Sequence, residues 1–474
     1  MIKQLCVALS LLVFACGNRS TAAQPSNLVG ASQNGTNRVD ILVALQALPG
    51  VTVTEVTPRV TGARSFDITI EQQVDHTVAA DAQPAPATFK QRIRLLHRNE
   101  DAPMVLATSG YHLGSGRDNE LSRMLQANVL EVEQRFFGAS TPVPTTWQHL
   151  TIKQAATDHH HIVDTFKSIY GKAWLSTGAS KGGMASIYHR RFFPDDVTAT
   201  VAYVAPQSYS TQDARYNDFL ENVGTQACRD KISAFQRELL SRRDEIVPIF
   251  AQAALEQHYT FARVGSLEVA VEFAIQEFRF ALWQYGPSNG CDTLPGAGAS
   301  AAALAETLDK WASPADIGGD QALEHYAAFY YQIANELGYY GPLERHLTDL
   351  LRFSGQYVNT NFTPQAVSYD ATVMPSVQRW LSSAGERVLI IYGENDPWSA
   401  GAFTVKGAAD SASFVVLKGN HGAGIGRLAT AEQQTIREML SRWTGSLVRL
   451  PSTPSRDEPS EVERPRHDLF HLLR

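Results

Sequence analysis

The chain has 474 residues, of which 44% are hydrophobic, 9% aromatic and 19% charged, a composition too apolar for a disordered chain. Lys and Arg total 41 against 48 Asp and Glu, a formal net charge of -7. That balance lacks the basic field that a phosphate backbone requires and excludes nucleic acid as an expected partner.

In chain order, the first feature is an apolar run from Leu5 to Ala15 behind Lys3. It is too short for a bilayer, which needs about 20 residues, but it suits the core of a signal peptide over residues 1–16. Ala15 directly before Cys16 resembles the bacterial lipoprotein cleavage box, in which the cysteine becomes the lipidated first residue. Phe14 is bulkier than the usual occupant there, so plain secretion is the alternative. The chain is expected to be exported, either attached to a membrane through lipidated Cys16 or freely secreted. Residues 17–38, rich in Ser, Asn, Gly, Ala and Gln, read as a flexible tether. Cys6 and Cys16 belong to the leader, which leaves Cys228 and Cys291. In an oxidising compartment a disulfide between them is the favoured reading, with two separate buried thiols as the alternative.

From Val39 to about Pro206, short apolar runs alternate with helical patterns. Strands are expected over 103–110, 128–133, 173–177 and 197–204, with helices over 151–169 and 182–193. Strand and helix in repetition argue for a mostly parallel sheet with helices on its faces. Residues 207–370 are mostly helical in pattern. Strands resume at 387–392 and 413–417, and a helix follows over 430–443. The expected organisation is an α/β core built from 39–206 and 371–446, interrupted by a helical insertion over 207–370. Residues 447–474 form a tail, solvated over 451–465.

Gly178-Ala179-Ser180-Lys181-Gly182 fits Gly-x-Ser-x-Gly and lies between an expected strand and helix. A serine nucleophile at such a bend has its hydroxyl lifted clear of the sheet, and the flanking glycines let the backbone pack closely around it. The hydroxyl needs an imidazole to take its proton, and the imidazole needs an anion to fix its tautomer. In the α/β-hydrolase arrangement these follow in the order Ser, acid, His. Asp396, in the loop after strand 387–392, is the favoured acid, with Glu394 as competitor. His421, in Lys418-Gly-Asn-His-Gly-Ala-Gly424 just past the final strand, is the histidine. An oxyanion hole is expected from the backbone N–H groups of Lys181 and Tyr111, each contributing roughly 3 kcal/mol. A packed loop aromatic is the alternative reading of Tyr111. Asp158-His159-His160-His161 reads as a solvated helix face rather than a metal-ligand set, because consecutive helical residues point in different directions. No metal or organic cofactor is called for, and nothing specifies an oligomeric state.

Thr177-Gly-Ala-Ser-Lys-Gly-Gly-Met184, followed by Tyr188-His-Arg-Arg-Phe-Phe-Pro-Asp-Asp196, resembles the bacterial secreted tripeptidyl aminopeptidase family of serine peptidases. Gly393-Glu-Asn-Asp-Pro-Trp-Ser399 and Gly419-Asn-His-Gly422 are similar to that family's acid and histidine loops. Val132-Glu-Gln-Arg-Phe-Phe-Gly138 resembles a segment of the related lysosomal prolyl carboxypeptidase and dipeptidyl peptidase group, which more often has His where this chain has Gln134. The resemblance implies an α/β-hydrolase core under a helical cap that cleaves short peptides from a free amino terminus, often beside proline. By the same resemblance Asp213 and Trp147 are the nearest positions to the family's amine-binding anchors, with Glu133 as the fallback. Peptides are the expected partners. The competing functions are an esterase of the same fold, since the same triad cleaves esters more easily than amides, and a catalytically dead surface binding module.

Overall fold

A computed structural model of the chain describes residues 39–342 and 345–451. The expected leader and tether, with Cys16, lie outside the described residues, as does most of the expected tail. Nine strands form one sheet: β1 (Val51–Val56), β2 (Arg64–Gln73), β3 (Thr88–His97), β4 (Met104–Thr108), β5 (Asn128–Val132), β6 (Trp174–Ala179), β7 (Ala199–Tyr203), β8 (Val388–Gly393) and β9 (Ala412–Val416). Their order across the sheet is β1-β2-β3-β5-β4-β6-β7-β8-β9. The pairs from β5 through β9 are parallel. β1, β2, β3 and β5 pair antiparallel in that order, so the sheet is mostly parallel, as expected, with an antiparallel extension at one edge.

The central strands were readable because both of their faces are covered. β8 is buried along its whole length, the signature of a parallel strand sandwiched by helices. Its residues alternate between two cores, as the period of 2 demands. Val388 and Ile390 pack with Ile187, Met374 and Leu381 on one face. Leu389 and Ile391 pack with Leu121, Ile436 and Leu440 on the other. The helices Lys181–Phe192 and Val373–Ala384 thus cover the first face, and Glu120–Leu125 and Thr430–Thr444 the second. With an antiparallel extension on one side, this sheet is that of an α/β-hydrolase.

Between β7 and β8 the described residues are helical, apart from turns and isolated bridges. The helix Leu267–Tyr285 is buried at every position from Val269 to Gln284 and forms the axis of this insertion. A disulfide joins Cys228, in the helix Gln226–Ser241, to Cys291. It closes a loop across 63 positions, which in the chain-entropy account stabilises the fold by roughly 4 kcal/mol. Replacing both cysteines with serine is expected to lower the midpoint of thermal unfolding by several degrees. Calorimetry should show wild type brought to the same midpoint by a reductant, with the variant insensitive to it.

Candidate active site

Three loops at the carboxyl ends of parallel strands build the site. At the first, β6 ends and Ser180 turns the chain into the helix Lys181–Phe192. Ser180 has φ 55° and ψ -125°, a strained conformation for a residue with a side chain and the one expected of a nucleophile held on a sharp bend. The bend is fixed from both sides. Ser180 N donates to Tyr203 O at 2.8 Å, and the Thr108 hydroxyl donates to Gly182 O at 2.7 Å. Gly182 admits no side chain, since a Cβ there would lie 2.3 Å from Thr108 O.

The second loop leaves β8 and carries Asp396, which is fully buried. Its Oδ1 accepts the Trp398 N–H at 3.1 Å, and its Oδ2 lies 2.7 Å from His421 Nδ1. The third loop follows β9 and carries His421, 1% exposed. It is held from two directions. His421 N donates to Gln284 O at 2.9 Å, at the end of the long insertion helix. The Glu120 carboxylate accepts Ile425 N and Gly426 N at 2.8 and 2.7 Å. His421 Nε2 is buried and has no hydrogen-bond partner among the described residues. The structure therefore brings Asp396 and His421 into contact and leaves the hydrogen bond from Ser180 to the imidazole unmade. Catalytic hydrogen bonds are often long without substrate and tighten in the complex.

Beside these loops, the turn after β4 lies against the Ser180 bend. Gly110 has φ +74°, and a Cβ on it would sit 2.5 Å from Gly182 N. The N–H of Tyr111 has no acceptor among the described residues. Lys181 opens its helix, where the N–H groups of the first turn have no intrahelical partner. Among the described residues, two backbone donors without an acceptor thus lie beside the serine.

Ser180, Lys181 and Tyr111 line a cavity of about 660 Å³. Its far wall belongs to the insertion and includes Glu277, Asp316, Tyr326, Tyr330 and Tyr339. Glu277 sits in the apolar helix Leu267–Tyr285, and its carboxylate accepts the hydroxyls of Tyr340 and, at 2.9 Å, Tyr357.

A family model described as "PS-10 peptidase S37" matches residues 35–466. The chain belongs to the peptidase S37 family. It is 36% identical to the prolyl tri/tetrapeptidyl aminopeptidase of Streptomyces mobaraensis over 451 residues, 93% of this chain and 91% of that one. Among solved structures, the proline iminopeptidase of Mycobacterium smegmatis overlaps with a TM-score of 0.32 at 13% identity, covering 83% of this chain and 98% of its own. Acetyl xylan esterase 1 of Thermoanaerobacterium sp. overlaps with a TM-score of 0.35 at 11% identity, covering 84% and 91%.

In this S37 peptidase the positions proposed for amine binding lie elsewhere. Asp213 is spent on Arg215, bonded at 2.7 Å, and on Tyr209 N at 2.9 Å. Trp147 is stacked between Phe136 and Tyr331, with centroids 5.6 and 5.5 Å away. Glu133 is 1% exposed and accepts the Ser140 hydroxyl at 2.7 Å and Leu113 N at 3.1 Å. None of the three lines the cavity, because each is tied into the walls behind it. Glu394 accepts Lys418 N at 2.7 Å and so braces the histidine loop without touching the imidazole. The sequence reading missed Glu277, although a carboxylate amid the apolar run of 267–285 is itself a signal, because burying such a group requires partners. From the histidine-rich helix, His160 joins Asp164 and Asp196, with ligand atoms within 4.8 Å of one another. Asp196 precedes β7, so this group lies at the end of the sheet opposite Ser180.

Proposed function

We propose that this serine peptidase is an exported exopeptidase that releases short units, tripeptides foremost, from free peptide amino termini. Ser180 Oγ attacks the scissile carbonyl carbon while its proton passes to His421 Nε2, and Asp396 stabilises the imidazolium that forms. The oxyanion receives the N–H groups of Tyr111 and Lys181. His421 then gives its proton to the leaving amine, and water hydrolyses the acyl-enzyme by the reverse proton path. The observation that carries this reading is the buried contact of 2.7 Å between His421 Nδ1 and Asp396 Oδ2, with Nε2 left free.

The helical insertion acts as the cap. Its wall supports an exopeptidase reading because it supplies what a chain end needs. Tyr326, Tyr330 and Tyr339, with Trp398 from the Asp396 loop beside them, offer flat apolar faces suited to a proline ring, and Glu277 and Asp316 offer negative charge for a protonated amine. Export rests on the leader, and membrane attachment through Cys16 on its cleavage box.

Replacing Glu277 with glutamine is expected to raise KM for tripeptide substrates with a free amino terminus by about 10- to 100-fold, the worth of one hydrogen bond between charged groups, with kcat little changed. Fluorogenic tripeptides, free and acetylated, provide the measurement in both enzymes. Equal rates on the two substrates in wild type would refute an aminopeptidase and favour a general acyl hydrolase.

A further inference from the structure

In the reading above Lys181 supplies only its backbone N–H, yet its side chain is placed at some cost. Lys181 is 4% exposed. Its Nζ donates to the Gly110 carbonyl and lies 4.8 Å from the ring centroids of both Tyr111 and Phe137. No carboxylate pairs with it among the described residues. Removing an amine from water is unfavourable unless other groups replace its hydration, and here one carbonyl and two aromatic faces do so. A methionine of similar length would fill the same space without that cost.

The carbonyl it holds belongs to the same planar trans peptide as the Tyr111 N–H, so fixing one fixes the direction of the other. The next carbonyl along, that of Tyr111, is held independently by Gln134 N and the Ser109 hydroxyl, both at 2.9 Å. Gly110 has the freedom of a glycine, and the peptide after it would rock without a restraint on its carbonyl. We propose that the Lys181 side chain is a positioning residue for acyl transfer: by gripping the Gly110 carbonyl between two aromatic rings, it aims the Tyr111 N–H at the oxyanion. This rests on the serine-peptidase reading.

Burial lowers Lys181 to about 7. The groups that face it are Tyr111, His112 and Phe137 on the loop side, and Gln134, His159, Tyr188 and Gln332 around a chamber of about 10 Å³. Burial, aided by the charge of Lys181, holds His112 below the usual histidine range. Burial drives His159 to about 3 and raises the Tyr111 and Tyr188 hydroxyls. All four are neutral near pH 7, so Lys181 is the member of this group whose charge disappears as the pH rises. Its grip on the carbonyl weakens with it.

The test is steady-state kinetics of wild type and Lys181→Met on a fluorogenic tripeptide from about pH 5 to about pH 10, with Ser180 labelled by a fluorophosphonate in both. Deleting an oxyanion donor outright costs about 100- to 1000-fold, so mis-aiming one is expected to lower kcat by about 30-fold with KM within about threefold. The alkaline decline in kcat expected of wild type should be absent in the variant. A kcat within about threefold of wild type, or a loss with an unchanged pH profile, overturns the proposal. If the methionine variant does not fold, Lys181→Gln, polar and uncharged, is read the same way. A wild-type kcat with no alkaline decline overturns the proposal without any variant. Failure of the fluorophosphonate to label wild-type Ser180 would instead sink the parent reading.

Discussion

Replacing Ser180 with alanine is expected to reduce kcat/KM on tripeptide substrates by at least about 10⁴-fold while leaving the fold intact. The size follows from the chemistry: with no hydroxyl there is no acyl-enzyme, and only binding and the oxyanion donors remain to assist water. The intact fold follows from the geometry. The bend at Ser180 is held by backbone contacts, Ser180 N to Tyr203 O and Thr108 to Gly182 O, and the side chain takes part in neither. Alanine inherits the same positive φ, so the variant gains no more strain than serine carries. Progress curves at high enzyme concentration, with circular dichroism as the control, make the measurement. Residual activity within about 100-fold of wild type would assign the nucleophile to another residue.

How much of this was legible in the sequence depends on what each residue answers to. The parallel strands, the glycine-flanked serine and the histidine after the last strand are local patterns, and each lies within a residue or two of where the structure has it. The expected strand 387–392 carries the unbroken apolar run 388–391 because helices cover both faces of β8. The long strands β2 and β3 alternate buried and half-exposed or exposed positions and carry Arg, Lys, Glu and Gln, so they offered no continuous apolar run to find. The carboxylates that line the cavity were not legible for a different reason. Asp213, Trp147 and Glu133 came from the family resemblance, and none of them lines the cavity; which carboxylate reaches a cavity is decided by how an insertion of many helices folds over the sheet. Only packing could show that Glu277 lines the same cavity as Ser180, 97 positions away in sequence. Lys181 lies between these cases. Its place beside Ser180 was evident, but the inward turn of its side chain toward Tyr111 and Phe137 was not.

Replacing Asp396 with asparagine is expected to cost about 10⁴-fold in kcat, and the reason lies in how its two oxygens are used. Oδ1 accepts the Trp398 N–H, and Oδ2 faces His421 Nδ1. An asparagine in the same pose must turn its carbonyl oxygen toward the Trp398 N–H, which leaves its NH₂ group toward the imidazole. Nδ1 must then accept, and the ring proton moves to Nε2, the nitrogen that has to take the proton of Ser180. The site stays assembled in the wrong tautomer, so KM should change little while kcat collapses. Glu394→Gln is the control, since among the described residues the Glu394 carboxylate meets only the Lys418 N–H, at 2.7 Å, a contact that the amide oxygen of glutamine can preserve. Its kcat should stay within about threefold of wild type, because a neutral oxygen still accepts that hydrogen bond. Nitrogen-15 NMR of the imidazole, reading the proton on Nδ1 in wild type and on Nε2 in the asparagine variant, would tie the rate to its cause. A variant at Asp396 that keeps kcat within tenfold, or a larger loss at Glu394, would move the acid from one side of the loop to the other.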